Sequence, residues 1–194
     1  AGNTATPVVR VVNVVDSSAS ATKLSVLTAV VDEIVIPNYK QLATQTAPLA
    51  GSNSPIAAYC SSIGTDDEAS KLEAAREDWK SIMKTVQKTE MHIFGQAALN
   101  NLSLRNRVYF YQEKDRLVET VSTCATDVAV VNAWADNQYL VSASSANQRS
   151  MSALEYLLFN DNLDHTCAAN VSAVSDWNAL SDTDRKVRRC GLSL

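Results

Sequence analysis

The chain has 194 residues, 46% hydrophobic and 20% charged, with a net charge of −4. This composition suits a globular domain with a sizeable core, and no Lys/Arg stripe with interleaved aromatics is present, so nucleic acid is not an expected partner. No uncharged apolar run reaches the ~18 residues that a membrane-spanning helix needs.

Turn chemistry is sparse. Five glycines and four prolines in this length favour long helices over many short strands. The expected fold is all-α, an up-and-down helical bundle with a kinked first helix. Residues 1–20 read as an N-terminal arm, in which Val8, Val9, Val11, Val12, Val14 and Val15 come in pairs and do not alternate. An extended arm and a first helical turn both fit that pattern. The opening Ala1–Pro7 lacks the charged-then-apolar layout of a signal peptide, so either the protein stays inside the cell or its signal has been removed.

Residues 21–194 read as the helical-bundle domain. Leu24, Leu27, Val31, Ile34, Val35 and Leu42 follow helical spacing. Pro37 falls inside this run and predicts a kink or break near Ile36. Residues 48–55 form a loop, followed by a short helix from Ile56 to Ile63. Thr65-Asp-Asp-Glu68 is a capping-box signature. It opens a helix through Leu72, Ala75, Trp79, Ile82, Val86 and Ile93, and Glu90 falls on that stripe. His92 lies toward the opposite side, as an edge residue rather than a ligand. Leu102 to Gln112, with Val108, Tyr109, Phe110 and Tyr111, predicts an extended or irregular stretch. Asp115 to Trp134 is again helical, and the polar, Ser-rich residues from Asn137 to Asn147 form a connector.

Arg149 to Phe159 is apolar almost all round, through Met151, Leu154, Tyr156, Leu157, Leu158 and Phe159. Such a helix belongs inside a bundle. Glu155 sits on the stripe of Met151, Leu154 and Leu158, with Ser152 three residues before it. A buried carboxylate is costly unless it is paired, hydrogen-bonded or bound to a cation. Two readings follow: a structural glutamate tied to a core partner, or a ligand site with Glu90 as the second interior carboxylate. Arg149 could supply the counter-charge.

Beyond this helix, residues 160–166 resemble a calcium loop only in composition and read as a capped turn, since the alternating ligands, central Gly and terminal Glu are missing. Arg185 to Arg189 reads as a solvated helix face, on a last helix that stops at Gly191. Cys60, Cys124, Cys167 and Cys190 contain no C-x-x-C, which argues against a zinc ribbon or thioredoxin-type motif. Two disulfides in an oxidising compartment fit the even count, with Cys60–Cys124 and Cys167–Cys190 the preferred pairs; four free thiols in the cytosol are the alternative.

No nucleophile elbow, phosphate loop or dinucleotide fingerprint occurs, and His92 and His165 form no His-Glu-x-x-His. No catalytic residue is assigned.

Three segments carry a resemblance. Val35-Ile-Pro-Asn-Tyr39, Ala74-Ala-Arg-Glu-Asp-Trp79 running on to Gln87-Lys-Thr-Glu90, and Ser152-Ala-Leu-Glu-Tyr-Leu-Leu-Phe159 together resemble the imelysin-like proteins, over roughly residues 24–190. The resemblance implies an all-helical fold of two related bundles, with this chain covering the first, and a second chain or a C-terminal half as partner. It implies export to the bacterial periplasm or cell surface, often as a lipoprotein, and a role in iron uptake. It also implies a Gly-x-His-x-x-Glu metal motif, with first members described as peptidases. That motif falls on Ser150 to Glu155: Glu155 matches, Ser150 replaces the Gly and Ser152 replaces the His. A neutral hydroxyl is a far poorer ligand than imidazole for iron or zinc, so the substitution favours binding over catalysis.

The expected function is therefore acquisition of iron, another divalent metal or another small ligand. Glu90, Arg149, Ser152 and Glu155 line the site, and Glu155 and Glu90 are the metal candidates. A metal-dependent peptidase and a purely structural or interaction module are the alternatives.

Overall fold

The computed structural model describes residues 22–109, 123–136 and 146–193. The N-terminal arm, the aromatic stretch past Tyr109, the onset of the Asp115 helix and most of the Ser-rich connector lie outside these residues. Among the described residues the regular structure is entirely helical.

Helix α1 (Lys23–Val30) starts at Thr22, whose hydroxyl accepts the Ser25 N–H at 3.2 Å. It continues through a π-helical segment, Val31–Val35, into α2 (Ile36–Thr46). The Ile36 N–H donates to the Val31 carbonyl, five residues back. Pro37 has no N–H to give and its ring crowds the preceding turn. The helix absorbs this by widening one turn rather than breaking, as π-bulges do.

Helix α3 (Pro55–Ser62) is capped by buried Ser54, which accepts the Ala57 N–H at 3.1 Å. Gly64, at φ +81°, turns the chain in a conformation that costs little only to glycine. The long helix α4 (Glu68–Glu90) then begins two residues later than the capping box suggests. Glu68 reaches back to accept the Gly64 N–H at 2.8 Å, so the reciprocal bond forms one residue earlier than the usual partner.

Helix α5 (Leu99–Tyr109) occupies residues where an extended or irregular stretch was expected. Its aromatic end packs as helix because Tyr109 is buried with Ile82, Met83 and Val86 of α4. Helices α6 (Cys124–Asp136), α7 (Ala146–Arg149), α8 (Met151–Phe159), α9 (Ala173–Asn178) and α10 (Asp182–Ser193) complete the order. Helix α10 runs through Gly191 instead of stopping there; a single glycine costs a helix only about 1 kcal/mol.

Helix α8 holds the bundle together. Leu158 packs with Ile56, Tyr59, Ala75 and Cys190, Leu157 with Val130, Val131, Ala173 and Trp177, and Met151 against the Ile82 group. Helix α4 clamps α8 at both ends: the Trp79 indole N–H donates to the Met151 carbonyl at 3.1 Å, and Arg76 Nε donates to that of Leu158 at 2.8 Å.

The cysteines pair differently from the expectation. Cys60 bonds Cys190, tying α3 to α10, and Cys124 bonds Cys167, tying the start of α6 to the chain beyond α8. The expected pairs Cys60–Cys124 and Cys167–Cys190 are thereby replaced. Pairing needs Cα atoms within about 7 Å, a property of helix packing that sequence spacing does not carry.

Candidate functional site

Glu155 is the one exposed residue of α8; its neighbours from Met151 to Phe159 are buried or half-buried. The expectation that it points into the core is corrected. The buried face of α8 runs through Ala153, Leu157 and Leu158; at 100° per residue Glu155 lies about 160° from Ala153 and Leu157 and about 60° from Leu158, at the edge of that face. The nearly uniform apolarity of the helix hid that direction.

Ser152 is half-buried and donates its hydroxyl to the Tyr109 carbonyl at 3.0 Å. Ser150 caps α8, its hydroxyl accepting the Ala153 N–H at 3.2 Å. Arg149 ends α7 immediately before that cap and is half-buried. Glu90, at the C-terminal end of α4, is half-buried rather than core-facing. It accepts Arg105 Nε of α5 at 2.8 Å. Glu90 and Ser152 therefore both engage α5, at Arg105 and Tyr109, but Glu90 does not line the cleft beside Glu155. His92 is half-buried at the edge and meets the Asn38 amide through Nε2 at 3.1 Å.

The cleft beside Glu155 has a volume of about 450 Å³. Ser152, Glu155, Tyr156 and Phe159 form the α8 wall; Asn162, Asp164, His165 and Thr166 form the opposing loop, with Thr123 at the side. The Phe159 ring is held edge-on to Trp79, centroids 5.4 Å apart. Thr123 and Thr166 hydroxyls lie 2.5 Å apart. His165 has its Nδ1 buried without a hydrogen-bond partner among the described residues.

Under this loop lies a buried polar network that the sequence reading missed. Asp127, in the first turn of α6, is 2% exposed and Arg189 of α10 is 3% exposed. The solvated face expected for Arg185 to Arg189 is corrected at Arg189. Arg189 donates to the carbonyls of Asn160 at 3.0 Å and Asp164 at 3.2 Å, and its Nη2 stands 3.7 Å from Asp127. Its guanidinium lies over the rings of Tyr156 and Trp177, 5.2 and 5.0 Å from their centroids. Asp127 accepts the Thr166 N–H at 3.1 Å, and the Tyr156 hydroxyl lies 3.0 Å from both Asp127 oxygens. The Trp177 indole N–H donates to the carbonyl of Leu163, which adopts φ +57°.

Burial pushes the Asp127 carboxyl up, against the downward pull of the Thr166 N–H, Tyr156 and Arg189. Burial, with the Asp127 charge adding to it, pushes the Tyr156 hydroxyl up to about 12, so it stays a neutral donor. Burial lowers Arg189. The result is a loop whose carbonyls are fixed from below, leaving Asn162, Asp164 and Thr166 presented to the cleft. The signal was available: Asp127 precedes Val128, Val130 and Val131, the same carboxylate-in-an-apolar-run pattern used for Glu155.

The family profile described as imelysin matches residues 35–191. The chain belongs to the imelysin family. No curated protein and no solved structure matches it.

Of the segment Ser150 to Glu155, where the resemblance sets the family's motif, Ser152 and Glu155 lie on the cleft wall. The donor set there does not fit a resident metal. Both serine hydroxyls are engaged with backbone groups, and Glu155 and Glu90 do not share a cleft. Among the described residues no three His, Cys, Asp or Glu side chains are arranged to hold an ion. What the cleft offers instead is a row of oxygen acceptors, two of them carboxylates, against one aromatic wall. That chemistry suits a small, donor-rich or cationic ligand.

Proposed function

We propose that this imelysin-family chain is an exported binding protein for ligand acquisition, taking a small polar ligand into the Glu155 cleft without catalysing its conversion. One observation carries the reading. Glu155 alone on α8 is exposed, facing the cleft, while Ser152 at the motif's histidine position is committed to the Tyr109 carbonyl. The two disulfides support export, because such bonds persist outside a reducing cytosol. Arg149 and Glu90 do not line this cleft, so the reading gives them no direct contact with the ligand. A metal cargo, iron included, is the narrower form of the same role.

The test is thermal-shift and calorimetric titration of the purified chain with Fe²⁺, with Zn²⁺ and with a panel of amines and amino acids, each repeated on Glu155→Gln. Binding of one probe that is lost in Glu155→Gln supports the reading. Chelator-sensitive peptide cleavage lost in the same variant would instead make the protein a metallopeptidase. No binding, together with raised stability in Glu155→Gln, would leave a structural module.

A further inference from the structure

A second cavity, of about 110 Å³, is more enclosed than the Glu155 cleft and shares only Asn160 with it. Its wall carries three cations, Arg76 of α4 and Lys186 and Arg189 of α10, against one carboxylate, Asp161. Tyr59 of α3, itself buried, completes the polar part, and Leu72, Leu158 and Leu163 are among the apolar residues. Burial, and then the Glu68 charge, raise the Tyr59 hydroxyl, while Lys186, Arg76 and Arg189 pull it down. The three cations therefore act on one point of the wall.

Two of them already hold a carboxylate: Arg76 bonds Asp161, and Lys186 Nζ donates to Glu68 at 2.5 Å. Arg189 is less well served. Its Nη1 and Nη2 donate to the carbonyls of Asn160 and Asp164, and Asp127 stands 3.7 Å off. Its Nε is buried with no hydrogen-bond partner among the described residues, on a side chain 3% exposed. A buried donor left unmet is rare and costly in a packed interior. Water satisfies one donor but not the excess of positive charge on the wall; an anion with several oxygens answers both. Size narrows the class. The volume is several times the ~10–15 Å³ that one water takes on this measure, yet well below the ~300 Å³ at which pockets for larger organic ligands begin.

We propose that this cavity is a binding site for a small oxyanion of the phosphate, sulfate or short carboxylate kind. Arg189 Nε, Lys186 and the Tyr59 hydroxyl are its donors, and Arg76 adds counter-charge. Glu68 competes with the anion for Lys186. The site stands independently of what the Glu155 cleft takes.

The experiment is calorimetric titration of the full chain with sodium phosphate, sodium sulfate and sodium acetate, each at constant ionic strength against chloride. Concentrations run from about 10 µM to about 20 mM, the affinity range open to so small a ligand. The expected result is saturable one-site binding of at least one of the three. Lys186→Gln should weaken it about tenfold, the loss of one charge-assisted bond, and Tyr59→Phe, which removes only the hydroxyl, by a smaller factor. Glu68→Gln should tighten it, because Lys186 is then released to the anion. Glu155→Gln should leave it unchanged. Circular dichroism checks the fold of each variant, and Tyr59→Phe with Glu68→Gln still decides if Lys186→Gln does not fold. No saturable binding of any of the three anions overturns the inference in favour of a cavity filled by water. Binding indifferent to both Lys186→Gln and Tyr59→Phe, or weakened by Glu68→Gln, overturns it too. So does binding lost in Glu155→Gln, which would put the anion in the cleft.

Discussion

The two ends of the molecule differ in how their apolar surface is used. Around α8 and α10, side chains from α3, α4, α6 and α9 close over a buried ion pair, and two disulfides lock the arrangement. Along α1 a run of equally apolar residues remains in solvent. Apolarity alone does not make a core. A helix becomes one when neighbours reach it from several sides, and α1 lacks them within the described residues.

The strongest way to break this contrast is at Arg189. Arg189→Met should cost about 3–5 kcal/mol, because it leaves the Asp127 carboxylate buried without its counter-charge and frees the carbonyls of Asn160 and Asp164. Chemical denaturation at neutral pH measures it, and a loss below 1 kcal/mol would mean that the network contributes little. Next come the disulfides. Replacing Cys60 and Cys190 by Ala should cost about 2–4 kcal/mol. The Cys60–Cys190 bond spans 130 residues against 43 for Cys124–Cys167, so loop entropy makes it worth about 1 kcal/mol more. An equal cost for the two pairs would point to strain or enthalpy instead.

A smaller effect separates two carboxylates by pH. Glu68 is held below the ordinary glutamate range, first by the Gly64 N–H and then by Lys186 of α10. Its contribution of about 1 kcal/mol is present at neutral pH and lost as pH falls through its folded pKa. Glu68→Gln should therefore be destabilised at pH 7 and match the natural chain in strong acid. Asp127 has the opposite sign. Its pKa is raised by burial, so the native state holds the proton more tightly, and the measured cost of Asp127→Asn should grow as pH falls through that window. The smallest effect belongs to α1: Leu27→Glu should change stability by less than about 0.5 kcal/mol, as exposed substitutions commonly do.

Much of the fold was legible because it rests on periodicity. The stripe Leu72, Ala75, Trp79, Ile82, Val86 defines α4, and the helix expected from Ile56 to Ile63 is α3 to within one residue at each end. The Glu155 helix was readable as interior from its nearly uniform apolarity. Direction was not. In α8 nearly every position is apolar, so the wheel has no polar side to orient it, and Glu155 was turned inward on paper. Glu90 suffered a milder version of this error at the C-terminal end of α4, where it pairs with Arg105. Asp127 and Arg189 escaped notice because 62 residues part them, and only packing brings α6 under α10.

Local chemistry along the chain decided where most helices begin and where Pro37 perturbs them, since each depends on residues within a turn or two of one another, and three such local segments together carried the family likeness. Which cysteines meet, which carboxylate is buried and which faces the cleft were decided by the packing of α3, α6 and α10 around α8. Those are properties of distance between remote residues, and a linear pattern holds no measure of it.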